Sequence, residues 1–229
     1  MSDDLDATLL LQLRLRAFAP TEELVRVAEG REAPVAQALA EYDERGWVQR
    51  REGRIQGWTL TAAGRRRGQD LLIAEMDAAG ARATVADAYA EFLPLNAELL
   101  SICTDWQVVQ IDGAHVPNDH GDPVRDAAVL RRLAVMHPAA DRLTSALGDA
   151  LGRFAGYGPR LEEAHDHVAA GRTEWLARAT GSSYHGVWFE LHEHLLAVLG
   201  HDREHEPVPA YIPTTTGLDQ EPATNGDLR

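Results

Sequence analysis

Two groups of residues in this 229-residue chain could do chemistry, and they lie in different parts of it. The first is cationic. Between Arg45 and Arg67 stand seven arginines (45, 50, 51, 54, 65, 66 and 67) and one acid, Glu52, a local charge of +6 in a chain whose formal charge is −14. Guanidinium groups stay charged and match phosphate oxygens bidentately, so a cluster of them suits a nucleic-acid backbone. The plain alternative is a solvated charged face. Bulk acidity does not cancel the cluster, because charges further apart than about 8 Å are largely screened in physiological salt. The second group is the histidines. All ten (115, 120, 137, 165, 167, 185, 192, 194, 201 and 205) follow residue 114.

Metal binding is the first chemistry to test on those histidines. In His165-Asp166-His167 and Glu190-Leu191-His192-Glu193-His194, the paired histidines are two positions apart. On a helix that spacing points them about 200° apart, so neither pair can chelate one ion. His185, Phe189 and His192 share a face, as do Glu190 and His194, but zinc needs three or four converging ligands. No metal or other cofactor is expected. Enzymatic motifs are also missing: there is no Gly-rich phosphate loop, no Gly-x-Ser-x-Gly elbow and no paired Cys-His arrangement. Gly181-Ser182-Ser183 reads as a helix start. The single cysteine, Cys103, falls mid-helix between Ile102 and Trp106 and is expected to be buried and inert.

The elements that must position the arginines follow from spacing and punctuation. Leu5 to Phe18 reads as a helix with Asp4 or Asp6 near its start, broken by Pro20. Thr21 is the expected N-cap of a second helix carrying Leu24, Val27 and Ala28 inward and stopping at Gly30. Pro34 opens a third, with Val35, Ala38, Leu39 and Tyr42 at inward spacing, and Gly46 closes it. Ala33, Pro34, Ala36, Gln37, Ala40 and Glu41 then face outward, and Gln37 can read adenine bidentately. Trp47 and Val48 begin a strand, Arg51-Glu52-Gly53-Arg54 makes a tip, and Gly57 to Leu60 returns. Thr61 caps a further helix through Arg65 to about Ala78.

The string Gly46-Trp47-Val48-Gln49-Arg50-Arg51, a short tip, then Trp58-Thr59-Leu60-Thr61-Ala62-Ala63-Gly64 resembles the wing of MarR- and PadR-type winged helix-turn-helix regulators. The likeness covers residues 5–75, about a third of the chain. It implies a duplex-DNA-binding module whose site residues would be Gln37, Arg45, Arg50, Arg51, Arg54, Arg65 and Arg66. The acids Glu41, Asp43 and Glu44 depart from the usual basic recognition helix.

The remainder reads as helical, with helices at 81–92, 95–107, 124–151 (interrupted near Pro138), 159–170, 172–179 and 183–199. The turn formers from Ile111 to Pro123 predict a loop. Helix 183–199 carries two apolar stripes, which indicates burial on two sides. Core packing explains that adequately. A sharper reading is a ligand chamber of Trp106, His120, Tyr184, His185, Trp188 and His192, with Asn118, Asp119 and His120 as a polar lid. From His201 onward, four prolines and many polar residues predict an extended, largely disordered tail.

The expected fold is therefore mainly α: a winged helix over 1–78, an all-helical dimerisation and ligand-sensing domain over 79–200, and a tail over 201–229. No apolar run of 18 residues suggests a membrane span, and the acidic start Met1-Ser2-Asp3-Asp4 does not resemble a secretory signal, so the expected compartment is the cytoplasm. The expected function is a ligand-responsive transcriptional repressor, a homodimer acting on double-stranded DNA and responding to an unknown small-molecule effector. Two rivals remain: a winged-helix protein that no longer binds DNA and sequesters a small molecule or binds a protein, and a metal-dependent enzyme.

Overall fold

In the computed structural model, residues 3–111, 113–178 and 181–201 are described. The expected tail, apart from His201, lies outside the described residues, as do Asp112, Ala179 and Thr180. The fold is mainly helical, with two small hairpins.

The N-terminal part comprises α1 (Asp3–Arg16), α2 (Thr21–Val27), α3 (Glu32–Glu44), β1 (Val48–Arg51), β2 (Gly57–Leu60) and α4 (Ala62–Ala78). Acids at Asp3, Asp4 and Asp6 open α1 and Arg14 and Arg16 close it, which complements the helix dipole at both ends. Val35, Ala38, Leu39 and Tyr42 make the buried face of α3, at the spacing the sequence sets. The Tyr42 hydroxyl donates to Asp6 Oδ1 at 2.6 Å and so fastens α3 to α1. Burial and the Asp6 carboxylate together push the Tyr42 hydroxyl's pKa well above its ordinary value.

The hairpin register is Val48↔Leu60 to Arg51↔Gly57. A third strand segment joins it, because Ala19 and Trp58 exchange both backbone hydrogen bonds at 3.0 and 2.9 Å. Gly57 permits that approach: a Cβ there would lie 2.5 Å from the Phe18 ring and 2.6 Å from Ala19 O. Gly64 is constrained more tightly still, with only 2.0 Å between its hypothetical Cβ and Trp47 O. Thr61 caps α4 by accepting from Gly64 N at 3.1 Å, and its hydroxyl donates to Gly46 O at 2.7 Å. The Leu60-Thr61-x-x-Gly64 pattern is thus a mechanical joint between helix and hairpin. Thr21 takes a different role from the one expected. It lies within α2, makes no cap, and accepts from Trp58 Nε1 at 3.0 Å.

The rest comprises α5 (Arg82–Gln107), β3 (Val108–Ile111), β4 (Ala114–Pro117), α6 (Pro123–Ala150), a 3₁₀ turn (Gly152–Phe154), α7 (Tyr157–Ala169), α8 (Glu174–Ala177) and α9 (Tyr184–Leu199). Three expectations are corrected. The region is not all-helical: Val108–Ile111 pairs antiparallel with Ala114–Pro117, so part of the expected loop is a hairpin. Helices 81–92 and 95–107 are one helix running through Pro94, and α6 continues through Pro138. The expected helix at 172–179 shrinks to one turn.

Among the described residues, a hydrophobic core runs from Leu5 to Val198. Helix α9 is its axis. Every residue from Leu191 to Val198 is buried, and α9 packs on α1, α4, α5, α7 and α8. Helix α1 likewise packs on several elements, α2, β2, α4 and α9. Each buried leucine along it contributes roughly 1.5–3 kcal/mol.

Candidate nucleic-acid interface

The hairpin projects its arginines into solvent. Arg50, Arg51 and Arg54 are exposed, and the Arg50 side chain keeps 55% of its surface. The nearest acid to Arg50 is Glu52, at 3.9 Å. Arg51 and Arg54 make no ion pair among the described residues. An exposed pair at that separation is worth at most about 1 kcal/mol, so these guanidinium groups stay available to a polyanion. Along β1 only Val48 is buried, and the three positions that follow it, Gln49, Arg50 and Arg51, are exposed.

At the foot of the hairpin, Arg45 and Arg67 lie over the Trp47 ring at 4.9 and 5.6 Å, a cation–π arrangement that holds both guanidiniums close to α3. Arg66 is exposed. Arg65 is half-exposed, and one of its nitrogens is drawn to Glu193 on α9 at 3.4 Å. Gln37 is exposed on α3, as expected for a base-reading position, but its amide donates to Glu41 Oε1 at 3.2 Å. Glu41 also faces Arg45 at 3.7 Å. A base edge would have to displace that exposed network, whose members are individually weak.

The six residues expected around a ligand chamber separate into two groups. Trp188 and His192 gather about Phe92, Trp188 stacked on it at 4.6 Å and His192 at 4.9 Å, and Tyr184 lies 6.4 Å from Trp188 in turn. Trp188 Nε1 donates to Asn96 Oδ1 at 3.1 Å, and the Tyr184 hydroxyl lies 3.2 Å from His137 Nδ1. Such stacking describes packed core. His185, next to Tyr184 on α9, is half-buried, with no partner for its Nδ1, and desolvation lowers its pKa. Trp106 and His120 form the other group, their rings 4.4 Å apart where the second hairpin meets α6. His120 Nδ1 lies 2.9 Å from Asp126 Oδ2, and Asn118 donates to both Asp126 and the Trp106 carbonyl. The proposed polar lid is thus latched by hydrogen bonds to the framework.

An arrangement that sequence reasoning missed lies where α1, α7 and α9 meet. There a cavity of about 160 Å³ is lined by Thr8, Gln12, Arg153, Tyr157, Arg160, Glu190 and His194, together with Leu11 and Leu15. His194 is completely buried. Its ring stacks on Phe154 at 4.1 Å, Nδ1 lies 3.2 Å from the Tyr157 hydroxyl, and Nε2 has no hydrogen-bond partner. Desolvation, then the nearby Arg153 and Arg14, hold its pKa down at about 3, so the ring is neutral. The i, i+4 spacing of Glu190 and His194 was the only signal available in the sequence. Among the described residues, no group of three or more His, Cys, Asp or Glu could hold a metal ion, and no helix is long and apolar enough to cross a membrane.

No protein-family model, curated protein or solved structure matches the chain.

Proposed function

We propose that the chain is a ligand-responsive transcriptional regulator, a cytoplasmic homodimeric repressor whose residues 3–78 form a winged helix that binds duplex DNA. The observation that carries this reading is the outward β1–β2 hairpin, with Arg50, Arg51 and Arg54 exposed beside an exposed face of α3. The order of α1, a strand segment at Ala19, α2, α3, hairpin and α4 supports it. In this reading α3 approaches the major groove, the hairpin arginines take backbone phosphates or a narrowed minor groove, and Arg45 and Arg66 flank them. A two-fold pair doubles the contacts of one small module, which is the reason for assigning a homodimer. An effector bound among the later helices would favour a dimer geometry whose α3 helices no longer match half-sites about 34 Å apart.

A salt titration of affinity for a fluorescent duplex tests the interface. Each phosphate contact contributes about −0.9 to the slope of log K against log salt, so Arg51→Ala and Arg54→Ala should each flatten it by about one. Unchanged slopes would remove those arginines from the interface. One observation favours a second reading. The Gln37–Glu41–Arg45 network and the acids Asp43 and Glu44 put negative charge on the face that would enter the groove, as suits a winged helix turned to protein binding. Absence of any duplex binding at low salt would select that reading.

A further inference from the structure

We propose that the cavity between α1, α7 and α9 binds a compact oxyanion, a small carboxylate or a phosphate, and is the effector site of the regulator. The assignment deepens the ligand-responsive reading above and rests on it. The cavity is a better candidate than the aromatic cluster around Phe92 because it is open space with unmet hydrogen-bonding capacity. Its volume of about 160 Å³ is close to that of engineered cavities of about 150 Å³ that accept benzene, so it admits a molecule of similar bulk.

The polarity of its wall selects the ligand class. Two guanidiniums and one acid, Glu190, line it. Arg153, 13% exposed, donates from Nε to Glu75, from Nη1 to Thr8 and from Nη2 to Asp4, which engages three of the five N–H groups a guanidinium carries. Arg160 is less committed: one nitrogen meets Glu190 at 2.7 Å, and its side chain is 38% exposed. His194, which also lines the cavity, keeps its Nε2 buried and without a partner. The two uncommitted N–H groups of Arg153, and those of Arg160 beyond its contact with Glu190, are donors in a wall that also holds Leu11 and Leu15, which fits a ligand that supplies acceptor oxygens. An apolar molecule would leave the donors unmet, and a cation would face both arginines.

Position connects the site to regulation. Thr8, Leu11, Gln12 and Leu15 all belong to α1, which also packs on α2 and β2, whereas Tyr157, Arg160, Glu190 and His194 belong to the later helices. A bound oxyanion would therefore bridge the two parts of the chain, and its differential contacts would bias how α1 sits on α9.

The test is calorimetric titration of the full chain, at constant ionic strength, with sodium butyrate, inorganic phosphate and butyramide, the uncharged counterpart of butyrate. The expected result is saturable one-to-one binding of butyrate, phosphate or both, and binding at least about tenfold weaker for butyramide. Butyrate alone would identify a carboxylate ligand; phosphate alone would identify a phosphate ester. Arg160→Gln should weaken the binding about tenfold or more, and so should Gln12→Glu, which adds a second acid to the wall at a half-buried position outside the core. No saturable heat from either anion up to about 10 mM, equal binding of butyramide, or undiminished binding by Gln12→Glu would overturn the proposal. Because no DNA is present, a chain that binds the anion but ignores duplex DNA would sink the regulator reading and leave this site standing.

Discussion

Glu193 is the point at which the N-terminal elements are tied electrostatically to the core helix, and its removal has a calculable cost. Its Oε1 accepts from Arg14 Nε at 2.7 Å, with the two side chains only 11% and 6% exposed. The half-exposed Arg65 approaches the same oxygen at 3.4 Å. Glu193→Ala strands the Arg14 guanidinium in the core, where its Nη1 already lacks a partner. Breaking a buried pair in this way costs about 3–5 kcal/mol. At roughly 2–4 °C per kcal/mol for a chain of this size, the melting temperature should fall by roughly 6–20 °C. Removing both partners relieves the stranded charge, so Arg14→Met with Glu193→Leu should return to within about 1 kcal/mol of the parent. Arg65→Ala removes a pair that is half in water and should cost less than about 1 kcal/mol. Urea unfolding followed by circular dichroism measures all four chains. A loss below about 1 kcal/mol for Glu193→Ala, or a double variant no more stable than it, would refute the reasoning.

Three further outcomes follow from geometry already described. Gly64→Ala drives a methyl against the Trp47 carbonyl, and should destabilise the chain by about 3 kcal/mol or more, whereas a cost under about 1 kcal/mol would show that the joint yields. His194 has a folded pKa of about 3 against an ordinary 6.5, so the unfolded chain takes up a proton that the folded chain refuses. Stability is therefore lost as pH falls from 6.5 towards 3, and His194→Phe should lose less over that window; parallel stability curves for the two chains from pH 6.5 to 4 would contradict this. Cys103 is buried and its thiol is pushed up to about 12, so a thiol reagent should label it at the rate of unfolding, and rapid labelling of native protein would show an accessible thiolate.

The parts of the fold legible in the sequence were those set by local chemistry. Thr61 and Gly64 announced a capped helix after the hairpin, and the inward spacing of α3 located its buried face. Other elements were obscured by signals with two meanings. Pro94 and Pro138 marked breaks by their missing N–H, yet packing carries α5 and α6 through them. Around Gly113, turn formers between Val108–Ile111 and Ala114–Val116 suit a hairpin as well as a loop, and the long run of Pro, Asn and Asp that follows favoured the wrong choice. The candidate sites divide the same way. The arginines of the hairpin sit on one short segment, so their placement was readable. The Arg14–Glu193 pair spans 179 residues, and the cavity draws its walls from three helices and a turn, so neither has a local signature.

The coverage of α1 by both ends of the chain bears on how the protein is made. On the ribosome, α1 emerges well before α9, so the leucines that will meet α9 stay wetted until that helix follows. The N-terminal third synthesised alone would carry a sticky flank into solution, and a fragment ending near residue 78 should clump rather than behave as a free-standing module. Premature termination before residue 184 would leave the nascent polypeptide without its keystone, a target for chaperones and proteases instead of a half-active protein.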